Sequence, residues 1–140
     1  MLATAGPRES ESKFRLLYFG ADMKLIATLK PVLTKPNYQL VTSSNYEDTV
    51  LFLRSRIPYH LLLIDFEWRE TEGLKLARRA RSVRHRKRMP IVLLVSMEPS
   101  NDTRMLARKA GVTEWVLTTE DIGEFIDSLV KGEWEKQSDE

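Results

Sequence analysis

Apolar residues fall in short dense runs separated by segments of helical spacing. Phe14-Arg15-Leu16-Leu17-Tyr18-Phe19 is stopped by Gly20 and predicts a buried strand. Tyr38 to Thr42, Leu61 to Ile64, Ile91 to Val95 and Trp115 to Leu117 predict four more. Met23, Ile26, Leu29 and Leu33 recur at helical spacing after Asp22, a capping residue, and Pro31 is expected to shorten or distort that helix. Ser44 or Asn45 caps a second helix with Tyr46, Val50, Leu51 and Leu53 on its apolar face, and Ile57-Pro58 ends it. A third helix runs from Leu74 to Val83, with Leu74, Leu76, Ala77 and Ala80 inward and Glu72-Gly73 in the loop before it. A fourth covers Asn101 to Lys109 and stops at Gly111, which is free to adopt the left-handed cap. Thr119 caps the last, which carries Ile122, Phe125, Ile126, Leu129 and Val130.

The order is (βα)5. Strands that are apolar throughout imply a parallel sheet covered on both faces. Right-handed crossovers then give an α/β, doubly wound, flavodoxin-like five-stranded sheet with strand order 2-1-3-4-5. Residues 13–132 form this domain, 1–12 read as a flexible tail, and 133–140 as a polar tail or linker. Function in such sheets gathers at the carboxyl ends of the strands. Those ends are Phe19-Gly20-Ala21-Asp22, Asp65, Ser96 and Thr118-Thr119.

Composition narrows the chemistry. The 140 residues are 42% apolar, enough for one ordinary core, and contain no cysteine. Disulfide scaffolds, thiol nucleophiles and cysteine metal sites are therefore excluded. His60 and His85 are the only histidines and share no helical pairing, which argues against zinc. No apolar stretch approaches the ~20 residues of a membrane span. Residues 1–12 lack the pattern of a signal peptide, so a cytoplasmic location is expected.

Net charge is only +2, but its distribution is uneven. Eight Lys/Arg and no acid lie between Lys75 and Arg88, whereas eight Asp/Glu lie from Glu120 onward. The basic run could meet nucleic acid or an acidic partner, but it has no interleaved aromatics for stacking bases. The preferred reading is a solvated helix end, where the macrodipole favours cations.

Asp65 follows four apolar residues. A carboxylate there is costly unless solvated, paired or used. It is either a nucleophile or ligand, or a capping and loop-binding Asp. Ser96 is either a donor to an anion beside Asp65 or a turn serine before Pro99. Trp68 either plugs the nearby pocket, meets a partner, or anchors its loop. The segment Gly20-Ala21-Asp22-Met23 has no glycine-rich phosphate cradle, which leaves an unrelated flavodoxin-like enzyme without support.

Leu62-Leu63-Ile64-Asp65 with Glu72-Gly73, Met89-Pro90 through Ser96, and Ala107 to Gly111 followed by Glu114 to Leu117 stand in an order that resembles the receiver domain of bacterial two-component response regulators. The resemblance covers nearly all of Lys13 to Lys131. It implies that Asp65 matches the phosphoacceptor, Ser96 the hydroxyl residue that binds the phosphoryl group, and Trp115 the switch aromatic. It also implies partner or dimer contacts through the fourth helix, fifth strand and fifth helix, a stretch that mixes Arg104, Arg108 and Lys109 with Glu114, Glu120, Asp121, Glu124 and Asp127.

The pattern departs from that family at three places. The acidic pair that holds Mg²⁺ is replaced by Gly20 and Ala21, with Asp22 one residue further on and expected to point away. The lysine and proline after the fifth strand are Thr118 and Thr119. The proline after the acceptor gives way to Arg69 beside Trp68. Phosphoryl transfer needs charge neutralisation by metal and cation, and these positions supply neither. The expectation is an atypical receiver, or pseudo-receiver: a phosphorylation-independent protein-interaction module, not an enzyme, with no catalytic residue and no resident metal or cofactor. The alternative is a phosphoacceptor on Asp65 with a weak substitute Mg²⁺ site, Arg69 being one candidate cation. Restoring acids at Gly20 and Ala21 is expected to raise Mg²⁺ affinity.

Overall fold

A computed structural model describes residues 14–33 and 38–139. The expected tail 1–12 lies outside the described residues. Five strands, β1 (Phe14–Phe19), β2 (Tyr38–Ser43), β3 (Leu61–Asp65), β4 (Ile91–Val95) and β5 (Glu114–Leu117), alternate with five helices. These are α1 (Met23–Leu33), α2 (Tyr46–Arg54), α3 (Glu70–Ser82), α4 (Asn101–Lys109) and α5 (Ile122–Asp139). All strand pairs are parallel, in the order β2-β1-β3-β4-β5. The expected doubly wound sheet is therefore present.

Two apolar layers flank the sheet because successive residues of a strand point to opposite faces. Leu17, Phe19, Leu62, Ile64, Leu93 and Val95 pack with α2, α3 and α4. Leu16, Tyr18, Leu61, Leu63, Val92 and Leu94 pack with α1 and α5. β3 and β4 are buried at every position, which is why they read as unbroken apolar runs.

Several details differ from the sequence reading or decide it. α3 begins at Glu70, so Glu72 and Gly73 lie inside the helix. A Cβ on Gly73 would stand 2.9 Å from Ile64 Cγ2, and the missing side chain lets α3 sit directly on β3. Leu51 is exposed, not inward, while Thr49 takes the buried position. Asn45 is the cap of α2, accepting from Asp48 N at 2.9 Å. Asp121, not Thr119, caps α5 by accepting from Glu124 N at 3.0 Å. The polar segment that begins at Glu133 continues the backbone of α5 as far as Asp139.

The basic run is not simply a solvated helix end. Arg86 is 3% exposed and donates to the carbonyls of Leu53 (2.9 Å) and Ser55 (3.1 Å) and to that of Ile57. These carbonyls close the C-terminus of α2, where four acceptors lack helical partners. Arg81 donates to the carbonyls of Met89 (2.7 Å) and Gly111 (2.9 Å), tying α3 to the segments before β4 and β5. Gly111 has φ +94°, and a Cβ there would run into the Arg81 side chain, so glycine is required twice over.

Candidate functional site

The carboxyl ends of β1, β3, β4 and β5 surround an open cleft of about 540 Å³. Asp65 ends β3 and is 5% exposed. Ala21, Ser96, Thr118 and Trp68 line the same cleft. The ring of Trp68 meets Phe19 edge-on at 5.1 Å and packs against the core, so it anchors its loop as well as walling the cleft. Arg69 does not enter. Its guanidinium lies 4.6 Å over the Trp68 ring and pairs with Glu72 at 3.2 Å. Trp115, Arg104 and Arg108 sit apart from the cleft, with Arg104 stacked 5.2 Å over Trp115. Arg108 and Trp115 line a second cavity of about 530 Å³.

Three residues at or beside the cleft escape the sequence reading: Tyr18, Lys24 and Glu67. The Tyr18 hydroxyl donates to Asp65 Oδ2 at 3.3 Å. Glu67 Oε2 accepts from the Ser96 backbone N–H at 3.2 Å. Lys24, on α1, lines the rim. Tyr18 carries a readable signal, since alternation along β1 places it on the α1/α5 face with a polar tip near the strand end. Glu67 and Lys24 carry none, because each lies in a segment of ordinary surface polarity.

Asp22 does not point away as expected; it lines the cleft. Its Oδ1 accepts from the backbone N–H of Lys24 (3.0 Å) and Leu25 (3.1 Å), so the carboxylate serves as the cap of α1. Burial pushes the Asp65 carboxyl above the ordinary carboxylate value, and the Asp22 charge adds to this. The Tyr18 hydroxyl and the backbone N–H groups of Glu67 and Trp68 pull it back. Burial and the Asp65 charge raise the Tyr18 phenol in turn, which keeps it a donor.

A divalent cation does not fit these groups. Among the described residues no three His, Cys, Asp or Glu side chains converge in a manner that could hold a metal ion. Asp22, Asp65 and Glu67 each already accept an internal hydrogen bond. The Gly20 position is also closed: an added Cβ would overlap the Tyr18 phenol, 2.6 Å from its Cζ, and stand 2.7 Å from Asp65 Cβ. An acid at position 20, one of the two changes expected to raise Mg²⁺ affinity, therefore requires Tyr18 and Asp65 to shift. Asp22, Asp65, Glu67 and Lys24 are the charged groups on the walls of the cleft.

The Tyr18–Asp65 contact has a pH signature. A raised folded pKa means Asp65 binds a proton more readily in the native chain than in the unfolded one, so its charge opposes folding above that pKa and the opposition fades below it. Tyr18→Phe removes a donor to the charged form and raises that pKa further. The variant should lose about 1 kcal/mol at neutral pH. The loss should shrink as pH falls through the folded pKa, as measured by urea unfolding in a pH series; a constant deficit would refute the assignment.

The architecture is that of receiver domains of two-component response regulators. No family profile and no curated protein sequence matches the chain, and the likeness rests on solved structures. The CheY-like receiver protein of Methanospirillum hungatei superposes with TM-score 0.75 over 92% of this chain and 100% of that one, at 16% identity. Vibrio cholerae chemotaxis protein CheY4 gives 0.72 over 85% and 98%, at 15% identity. The receiver domain of a sensor histidine kinase from Pseudomonas aeruginosa, which has a magnesium ion coordinated in its active-site cleft, gives 0.71 over 85% and 95%, at 16% identity.

Proposed function

We propose that the chain is a pseudo-receiver: a protein-interaction module that uses the receiver fold in signalling without accepting a phosphoryl group. The observation that carries this reading is the commitment of all three cleft carboxylates to internal hydrogen bonds. Glu67 adds a second support. Its carboxylate already occupies the Ser96 amide, a donor that an incoming anion beside Asp65 would need. On this reading Asp65, Ser96 and Thr118 are remnants of a phosphate pocket, Gly20 and Ala21 are the lost metal positions, and the chain is not an enzyme. A cytoplasmic location goes with it; among the described residues no helix is long and apolar enough to cross a membrane.

The deciding experiment is incubation with a small-molecule phosphodonor and Mg²⁺, followed by intact mass. The expected mass is unchanged. A phosphate-sized increase that Asp65→Asn abolishes would establish the alternative, a phosphoacceptor with a substitute site.

The contact surface we assign is the α4-β5-α5 face. Met105 is 58% exposed on α4 and is the next residue along the helix from Arg104, which covers Trp115. Arg104 is held by the Pro99 carbonyl (3.0 Å) and Glu98 (2.7 Å) while it covers Trp115, which supports a single fixed setting of that ring. Light scattering should report a dimer, converted to monomer by Met105→Glu with Arg104→Glu. A monomer before and after would exclude the homodimer and leave a heterologous partner for this face.

A further inference from the structure

The topology gathers a band of cations at the end of the sheet opposite Asp65, and we propose that this band binds the phosphate backbone of duplex nucleic acid without sequence preference. Helices in this fold run antiparallel to the strands, so their C-termini meet at the amino edge of the sheet. α2 brings Arg54 and Arg56 there, and α3 brings Arg79. The turn before β4 adds Arg84, Lys87 and Arg88, and α4 adds Arg108 and Lys109. All eight are exposed.

Hydrogen bonds make these segments one surface. Arg86 joins the turn to the end of α2 through the Leu53 and Ser55 carbonyls, and His85 Nε2 bonds the Ser55 carbonyl at 2.8 Å. Arg81 joins the same turn to the segment after α4 through the Met89 and Gly111 carbonyls. Buried Arg86 and half-buried Arg81 thus fix the backbone from which the exposed cations project. Segments 54–60, 79–90 and 108–114 contain two, six and two Lys/Arg and a single acid, Glu114. Helix C-termini account for about half a charge each, far less than this excess. Among the described residues, the ion pairs Arg69–Glu72 and Arg104–Glu98 involve none of these cations.

Chemistry selects the partner. Six of the eight are arginines, whose planar guanidinium forks match phosphate oxygens. No exposed aromatic side chain accompanies them among the described residues, so bases are not stacked and the contact is to the backbone. A lipid surface would call for a continuous inserting apolar group, yet the exposed large apolar side chains at this end, Leu51, Ile57 and Leu106 among the described residues, stand on separate segments between the cations.

The test is fluorescence anisotropy of a labelled DNA duplex of mixed sequence titrated with the full chain. If about five or six phosphates are neutralised, affinity should fall about 10³-fold between about 50 and 200 mM salt. Arg84→Glu with Arg88→Glu should weaken binding at least about tenfold and flatten the salt slope. Lys87→Gln with Arg88→Gln, a milder pair confined to exposed side chains, should reduce the slope by about two. Unchanged affinity in both variants, or no saturable binding at the lower salt, overturns the proposal. Tighter binding to vesicles containing phosphatidylserine than to duplex, at the same salt, overturns it in favour of a membrane. Displacement of duplex by a peptide of residues 133–140 at equal concentration overturns it in favour of an acidic polypeptide.

Discussion

Replacing Arg86 with methionine should destabilise the chain by about 3 kcal/mol, the largest loss expected from any single basic residue here. The guanidinium satisfies carbonyls of Leu53, Ser55 and Ile57 and lies 5.2 Å over the Tyr59 ring. Methionine fills much of the volume but donates nothing, and each buried acceptor left without a partner costs about 1–3 kcal/mol. Arg86→Lys should recover only part of the loss, since one ammonium cannot reach carbonyls arranged for a fork. Arg84→Ala, two residues earlier and exposed, should stay within about 0.5 kcal/mol of the parent. Urea unfolding of the three variants is the measurement. Equal midpoints for Arg86→Met and Arg84→Ala would show that Arg86 does not close α2.

The second large effect concerns positions 20 and 21. Gly20→Asp with Ala21→Asp should fail to create Mg²⁺ binding, because the new Cβ at position 20 collides with Tyr18 and with Asp65 Cβ. Overpacking of that kind costs about 1–3 kcal/mol. Adding Tyr18→Val removes the obstructing ring and frees Asp65 Oδ2 from its hydroxyl donor. The triple variant should bind Mg²⁺ at least about tenfold more tightly than the double one, since two further carboxylates then face Asp65. Titration of Mg²⁺ against the fluorescence of Trp68, which walls the cleft, reads the difference. Saturable binding by the double variant alone would show that Tyr18 yields without cost.

What is legible in the sequence follows from where burial leaves a periodic trace. β3 and β4 are apolar at every position because both faces are covered, and those two runs with their terminal Asp65 and Ser96 are readable. So is the convergence of Ala21, Ser96 and Thr118, since a parallel sheet aligns strand ends. α3 reads as starting four residues late because Glu70-Thr71-Glu72 carries no apolar signal. Its first turn is held by position rather than by burial. Leu51 is misplaced by its type, which matches the inward stripe, although Thr49 holds the buried place with a 2.7 Å bond between its hydroxyl and that of Ser43. Arg86 gives no clue at all. A buried arginine that closes a helix end is identical, in a basic run, to its solvated neighbours.

The lack of room for a side chain at Gly20 beside Tyr18 also bears on descent. If an acid once stood at position 20, regaining it by one substitution now drives the new Cβ into the Tyr18 phenol. Shrinking Tyr18 first opens a void in the layer shared with α1 and α5, at a cost of a few kcal/mol, about what core truncations impose. Each single step costs stability, so the two changes are tolerated better together than apart. Positions 18 and 20 are thus coupled by shape: the residue tolerated at one depends on the residue that stands at the other.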